Sequence, residues 1–347
     1  MFYSKLLTSG KESPITIRAD RTIHKNIMEI FNLTLTQMLT MFLFIILGYI
    51  LRKKNILSET AHLTMSRLET YIFVPCLVLY NWMNNCTVSS LKTNSILIIY
   101  GLILILSAIA LAYPLSGLFV KKADTDALTY QRNIYKYAMT FGNYGFMGNF
   151  IVLGVWGSEM FFKYSMFTLC ISFACYSWGL FILIPKDKNN TNILKSALKR
   201  LCTPPIIALF VGLFAGLFQV KDYLPVFVVN VMSDASKCMG PIAMLLAGVV
   251  IGGYDLKELL TYKKVYVATI LRLVVIPAVM LLVLRFFGTS QEIMSLALIA
   301  FATPLGLNTV VYPAAYGGDV KTGASMSIIS HTFSVITIPL MYLIFIA

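Results

Sequence analysis

The chain has 347 residues, of which 58% are hydrophobic and only 12% are charged, with a formal net charge of +13. Soluble domains carry about 25% charged residues, so this composition excludes an ordinary soluble protein. The apolar residues form blocks long enough to cross a bilayer as helices, and strand-like alternation is missing, which argues against an outer-membrane barrel. The positive charge lies in short gaps between these blocks, where it indicates membrane topology rather than nucleic-acid binding.

The chain divides into a polar N-terminal segment and a long apolar region. Residues 1–27 are mixed in charge and lack the continuous apolar core of a signal peptide. From Met28 onward the sequence predicts ten membrane-spanning helices. Their predicted bounds are Leu33–Leu51, Leu63–Trp82, Ser95–Val120, Tyr135–Trp156, Met160–Ile184, Pro204–Val220, Leu224–Gly252, Val265–Phe287, Ile293–Tyr316 and Ala324–Ile346.

Basic residues lie mainly in the gaps that follow odd-numbered spans. Fifteen lie there: Arg52, Lys53, Lys54, Lys121, Lys122, Arg132, Lys186, Lys188, Lys195, Lys199, Arg200, Lys257, Lys263, Lys264 and Lys321. Four lie in the other gaps or at the span ends beside them: Lys92, Lys163, Lys221 and Arg285. Because positively charged loops stay in the cytoplasm, we predict a multi-pass protein of the cell membrane with both termini outside. The basic residues within 1–27 oppose this rule, and a native start at Met28, with 1–27 as a non-native extension, would remove the conflict.

The two halves of the chain repeat the same design. Gly48 and Pro75 in spans one and two correspond to Gly216 and Pro241 in spans six and seven. The segment Phe141–Asn149 in span four has a counterpart in span nine, 160 residues later. Each half contains five spans, an odd number, so the second copy is inverted relative to the first. We therefore predict an all-α integral membrane fold of two inverted five-helix repeats, 28–190 and 191–347.

Spans four and nine are interrupted at equivalent positions. Glycine costs about 1 kcal/mol in a helix interior and proline about 3 kcal/mol, so both spans make poor continuous helices. Either span alone would be explained by close packing or a kink, but matched interruptions in two repeats are typical of a transport site. The candidate substrate-binding residues are Gly142, Asn143, Gly145, Asn149, Thr303, Pro304 and Asn308.

Several charged or titratable residues fall within the predicted spans, where such groups are functional candidates. Asp234 and Lys237 lie three residues apart in span seven and can pair on one helix face. Arg272 in span eight could hold a carboxylate, and His331 in span ten could relay protons, although structural pairing and packing are the alternatives. Arg67 and Glu69, near the start of span two, are expected at the membrane interface. Proton coupling and sodium coupling both stay open.

The motifs together resemble the auxin efflux carrier family, whose bacterial members include malonate and malate permease-like proteins. The resemblance runs from about Met28 to Ala347. It rests on the order of LGYILRKKNIL (Leu47–Leu57), Pro75, GNYGFMG (Gly142–Gly148), Pro204–Pro205, Gly240–Pro241 with Gly248, Pro304 with Asn308, YGGD (Tyr316–Asp319) and SVITIP (Ser334–Pro339).

The resemblance implies a ten-helix fold with helices four and nine crossing at a broken point, and carriage of small organic anions such as malate or malonate. The resemblance also implies that the substrate site includes Gly142, Asn143 and Gly145 at the first break and Pro304 and Asn308 at the second. The family often has proline where this chain has Asn149.

The predicted function is therefore a secondary transporter working by alternating access. A sensor or receptor on a transporter-like fold is the alternative. An enzyme is disfavoured because His24, His62 and His331 are scattered and no hydrolase motif occurs. We expect no metal or other cofactor, and the resemblance alone suggests a homodimer.

Overall fold

The computed structural model describes residues 14–183, 203–306, 308–310, 313 and 320–346, with side chains from residue 28 onward. All regular structure in these residues is helical. The predicted gap after span five, except Thr203, and the YGGD turn at Tyr316–Asp319 lie outside the described residues.

The chain from its first described residue to the end of predicted span three contains five α-helices. They are α1 (Pro14–Lys53), α2 (Ala61–Leu68), α3 (Val74–Asn85), α4 (Val88–Asn94) and α5 (Ile96–Phe119). A π-helical turn, Glu69–Phe73, joins α2 to α3. Pro75 follows directly in the first turn of α3. Because proline clashes with the carbonyl four residues earlier, the widened turn accommodates it.

Predicted spans four and five form a succession of shorter helices. These are α6 (Asp126–Thr140), α7 (Asn149–Phe167), α8 (Leu169–Ala174) and α9 (Leu180–Leu183). π-helical turns Tyr144–Gly148 and Cys175–Gly179 precede α7 and α9. Gly157 has φ 81° inside α7, a left-handed conformation that glycine adopts without strain, and it bends the chain between the two predicted spans.

The second half contains α10 (Pro204–Leu217), α11 (Val226–Gly252), α12 (Leu256–Leu260), α13 (Lys263–Ile270), α14 (Ile276–Phe286), α15 (Gln291–Ala302) and α16 (Val320–Phe345). Two prolines begin α10, where a missing N–H costs nothing. A π-helical turn, Leu271–Val275, joins α13 to α14, and Pro277 follows it. Span eight therefore repeats the arrangement seen in span two, in which a π-helical turn is followed by a proline in the first turn of the next helix.

Five helices in the described residues are long and apolar enough to cross a membrane: Met28–Lys53, Ile96–Phe119, Val226–Gly252, Lys263–Phe286 and Val320–Phe345. Asp126–Phe167 and Leu169–Leu183, bent by 49°, make a sixth if counted together. Helices α10 and α15 are apolar but shorter. The multi-pass, all-helical class is confirmed, whereas the count of ten spans stays a prediction.

The helices pack in two bundles. The first bundle consists of α1, α2, α3, α10 and α11, and the second of α5 to α9 and α13 to α16. Glycines allow close approach within the first bundle: Gly48 of α1 meets the Leu245 backbone of α11, and Gly216 of α10 meets the Cys86 backbone after α3. Helices α7 and α16 contact α1, so the bundles share an interface.

The gaps that follow predicted spans one, three, seven and nine meet at one end of the molecule. Lys53 Nζ donates to Tyr254 O at 3.0 Å, and Lys264 Nζ donates to Phe119 O at 2.8 Å. Lys321 forms an ion pair with Glu258 at the same end. These contacts join gaps one, three, seven and nine, so the basic residues cluster at what we call the basic end.

Candidate functional site

The first break separates α6 from the π-helical turn that precedes α7. Helix α6 ends at Thr140, and Phe141 is extended, with φ −112° and ψ 130°. The helix resumes at Tyr144, and Gly148 N–H donates to Asn143 O at 3.0 Å. The first N–H groups of a resumed helix have no partner within it, so this end carries partial positive charge.

The second break begins where α15 ends, at Ala302. Thr303 is extended, with φ −68° and ψ 149°. Leu305 N–H donates to Ser330 Oγ of α16 at 3.0 Å, so a side chain of the neighbouring helix satisfies part of the non-helical backbone. Such backbone is tolerated at membrane depth where protein covers it.

The two breaks are in direct contact, and we call this contact the crossing. Asn143 N–H donates to Pro304 O at 2.7 Å. A Cβ on Gly142 would lie 2.5 Å from Thr303 Oγ1 and 2.7 Å from Thr303 O, so only glycine fits there. A Cβ on Gly306 would lie 3.5 Å from Gly142 O. Gly142, Asn143, Thr303 and Pro304, predicted from two interrupted spans, are therefore brought together.

His331 of α16 anchors the Asn143 side chain. Its Nδ1 lies 2.7 Å from Ser327 O, and because a carbonyl only accepts, Nδ1 carries the hydrogen. Nε2 of the neutral ring is then an acceptor, and Asn143 Nδ2 donates to it at 3.4 Å. Both residues are almost fully buried, at 3% and 1% exposure. In this arrangement His331 orients the amide.

A cavity of about 220 Å³ adjoins the crossing. Its polar lining includes Asn143, Asn149, Asn308, Ser165, Thr168 and Ser172, and its aromatic lining includes Tyr137, Tyr144, Phe146, Phe161, Phe173 and Tyr176. Gly145 also lines it, and a Cβ there would meet nothing within 4 Å. None of the described lining residues is charged. The cavity extends from the crossing to Ser66 and Thr203, near the starts of predicted spans two and six.

Asn308 belongs to a polar cluster on the cavity wall. Its Nδ2 donates to Tyr137 Oη at 2.8 Å and lies 3.8 Å from Cys175 Sγ. Tyr137 Oη and Cys175 Sγ are 3.2 Å apart. The sequence interpretation missed Tyr137 and Cys175. A stripe of polar residues at helical spacing in span five, Thr168, Ser172, Cys175 and Tyr176, is the signal that would have pointed to this wall.

Arg272 lies behind the crossing, in the π-helical turn of span eight. It is 0% exposed, and none of its three guanidinium nitrogens has a hydrogen-bond partner in the part of the chain that the structure describes. One of them, Nη2, contacts the position that a Cβ of Gly142 would occupy. Arg272 does not line the cavity. Its charge therefore acts on the cavity across the backbone of the first break.

The sequence from residue 33 to residue 342 matches the family described as membrane transport protein. The chain belongs to this family. The match agrees with the auxin efflux carrier type that the motifs indicated. An uncharacterized transporter from Methanocaldococcus jannaschii is 25% identical over 304 residues, which cover 87% of this chain and 96% of that protein.

Two remaining candidates of this membrane transport protein lie away from the cavity. Lys237 Nζ pairs with Asp234 Oδ1 at 2.8 Å, as the spacing predicted. Their side chains are 71% and 73% exposed, however, and neither lines the cavity. An exposed pair three residues apart on one helix explains the contact without a role in transport.

Span two of this membrane transport protein departs from expectation at one residue. The side chain of Arg67 is exposed, and its interfacial position stays a prediction. The same prediction was wrong for Glu69, which is 0% exposed. Residues two apart on a helix do not share a face, so Glu69 lies inside the protein while Arg67 is exposed.

Proposed function

We propose that this membrane transport protein is a secondary carrier of small organic anions, with the substrate bound at the crossing. The observation that carries the proposal is the 2.7 Å bond from Asn143 N–H to Pro304 O. It holds two broken spans together beside a cavity lined by three asparagine side chains. Broken spans that meet at matching positions are where carriers of this design bind their cargo.

The electrostatics of the crossing favour an anion. The helix that resumes at Tyr144 presents its N-terminal end to the cavity, and Tyr144, Gly145 and Phe146 line it. Such an end attracts negative charge. Arg272 adds a full positive charge behind Gly142, and no partner neutralises it among the described residues. An anion in the cavity would serve as its counter-ion.

The size of the cavity favours a small metabolite. Pockets that bury drug-sized ligands measure about 300–1,000 Å³, and the volume here is about 220 Å³. The amides and hydroxyls supply hydrogen bonds to a carboxylate, and the aromatic rings contact its carbon skeleton. Mono- and dicarboxylates of the size of malate or malonate, the class implied by the malonate and malate permease-like subgroup, fit this description.

The packing supports ten spans in two inverted repeats. In such a fold, a contact between two spans should recur between their counterparts in the other half. Span one packs extensively against span seven, and their counterparts, span six and span two, also pack extensively against each other. In the same way, α5 of span three contacts α8 of span five, and their counterparts, α13 of span eight and α16 of span ten, are also in contact. The cavity extends towards the basic end. In alternating access, the cavity would close at this end and open towards the opposite end.

Counterflow in proteoliposomes tests the proposal. We expect saturable exchange of a labelled anion from a panel of malate, malonate, lactate and benzoate. Asn143→Ala and Asn308→Ala should abolish exchange while the protein stays monodisperse. Asn84→Ala is the matched control, because Asn84 does not line the cavity and its Nδ2 donates to Tyr80 O of the same helix. Tight binding without exchange would indicate a receptor, and full activity in both cavity variants would exclude the crossing as the site.

A further inference from the structure

Glu69 is a buried carboxyl group that the proposed anion site does not use. It is 0% exposed, and neither carboxylate oxygen has a hydrogen-bond partner among the described residues. It begins the π-helical turn ahead of Pro75, and such turns are frequent at functional sites. The proline and the turn together fix the position of this carboxyl group.

The elements packed against this turn are α2, α3, α10 and α11. Their charged residues point elsewhere: Arg67 of α2 is exposed, and Asp234 and Lys237 of α11 are exposed and paired with each other. His62 of α2 bonds to Glu59 O, α10 carries no titratable residue, and Cys238 of α11 is exposed. Cys76 and Tyr80 of α3 and the Tyr71 phenol of the turn itself are uncharged at neutral pH. Nothing in these elements compensates a negative charge on Glu69.

An ionised carboxylate without a partner is very costly at membrane depth, and such a group takes up a proton instead. In the described conformation Glu69 is therefore neutral. A conformation that exposed its oxygens to water would release the proton at physiological pH. The protonation of Glu69 thus depends on the conformation of the protein.

Glu69 does not itself line the cavity, but it belongs to a helical segment whose neighbouring residues do. Ser66 and Thr70, three residues before it and one after it, line the cavity wall. An ionised Glu69 would repel an anion in that space, whereas a protonated Glu69 would not, because like charges repel more strongly in a protein interior than in water. A proton on Glu69 and an anion in the cavity should therefore favour each other.

Two other titratable groups of the predicted spans, His331 and Asp234, are differently placed. Both ring nitrogens of His331 are engaged, with Ser327 O and the Asn143 amide. Asp234 is 73% exposed and paired with Lys237. Glu69 alone of the three is buried, unpartnered among the described residues and adjacent to the cavity wall.

We propose that Glu69 is the proton-binding group of a proton–anion symporter. The inference rests on the proposed function, and it adds the coupling ion and its site. A proton from water on one side binds a Glu69 carboxylate oxygen when the anion enters, and it returns to water on the other side after the opening reverses. No other bond changes in this step.

Transport in proteoliposomes tests the coupling with Glu69→Gln, which mimics the protonated acid. For whichever panel anion the wild-type protein exchanges, an inward proton gradient should drive accumulation. Glu69→Gln should keep anion exchange at equal pH and lose gradient-driven accumulation. Asp234→Asn is the matched control and should keep both. Accumulation by Glu69→Gln under the gradient, or by the wild-type protein only under a sodium gradient, would overturn the inference.

Infrared spectroscopy of the purified protein gives a second test that needs no substrate. At neutral pH the wild-type protein should show the C=O stretching band of a protonated carboxylic acid, shifted in D₂O. The band should be missing in Glu69→Gln, present in Asp234→Asn and displaced in Glu69→Asp. Its presence in Glu69→Gln would overturn the inference. If the wild-type protein exchanges no anion but shows the band, the proposed function fails while Glu69 is still identified as a buried acid.

Discussion

The backbone N–H of Asn143 donates to the backbone carbonyl of Pro304 across 2.7 Å, and this bond joins the break of the first half to the break of the second. Because both groups belong to the main chain, no side-chain deletion removes the bond. Its geometry depends on how closely the two breaks approach, and that distance is limited by Gly142 against Thr303. The glycine is therefore the residue through which the crossing can be tested.

Gly142→Ala should lower anion exchange by more than about tenfold. The added Cβ would lie 2.5 Å from Thr303 Oγ1 and would also meet Arg272, so the breaks must separate. Weakening the alignment of the site by about 1.4 kcal/mol already corresponds to a tenfold loss of affinity. Counterflow measures the effect, and size-exclusion chromatography verifies that the variant is intact.

Gly145→Ala is the matched control for this substitution. Gly145 lies three residues away on the same cavity wall, but a Cβ there would meet nothing within 4 Å. Exchange by Gly145→Ala should stay close to that of the wild-type protein. Equal losses in the two variants would show that helix propensity, and not the packing of the crossing, decides the outcome.

Arg272→Gln should separate anion affinity from stability. A buried charge without a partner is destabilising, because taking one ion out of water costs several kcal/mol, and an uncharged amide avoids most of this cost. We expect a melting temperature at least as high as that of the wild-type protein. Anions should no longer raise it, because a ligand stabilises a protein only in proportion to its binding.

Arg285→Gln controls for the loss of a positive charge from the same predicted span. Arg285 lies in the last turn of α14 and is exposed. Thermal unfolding of Arg285→Gln in the presence of increasing anion should follow the wild-type curve. A strongly lowered melting temperature in Arg272→Gln would instead indicate a counter-ion for Arg272 and would contradict its role as an uncompensated charge.

The breaks could be predicted from the sequence because they depend on local composition. Glycines in span four and Pro304 in span nine disfavour a helix wherever they occur, and their matched positions identified the crossing. The partners of the crossing could not be predicted in this way. The contact between Asn143 and His331 joins residues 188 positions apart, and only the packing of α16 against the first break creates it.

Glu69 shows why burial near the end of a span is hard to predict. Arg67 and Glu69 are two residues apart, and a hydropathy pattern places both at the interface. Residues two apart on a helix face different sides, so one of the two lies inside the protein and the other is exposed. Which side is buried depends on the helices that pack against this segment, and that packing cannot be read from a hydropathy pattern.

His331→Ala tests whether His331 orients Asn143 or relays protons. Removing the ring leaves Asn143 Nδ2 without its acceptor, and a hydrogen bond of this kind contributes about 0.5–1.5 kcal/mol. We expect a roughly two- to tenfold higher half-saturation concentration for the anion, with unchanged accumulation under a proton gradient. Thr332→Ala, an exposed neighbour on α16, should behave like the wild-type protein. Loss of gradient-driven accumulation in His331→Ala alone would assign coupling to the histidine.

Cysteine labelling tests the orientation in the membrane. Lys54 belongs to the basic end and Lys221 to a gap after an even-numbered span, and both are exposed. In a variant without the native cysteines, a membrane-impermeant maleimide added to intact cells should label Lys221→Cys and leave Lys54→Cys unlabelled until the membrane is opened. Basic gaps remain in the cytoplasm, so the reverse result would invert the topology. It would also place the mouth of the cavity, which extends towards the basic end, on the outer side.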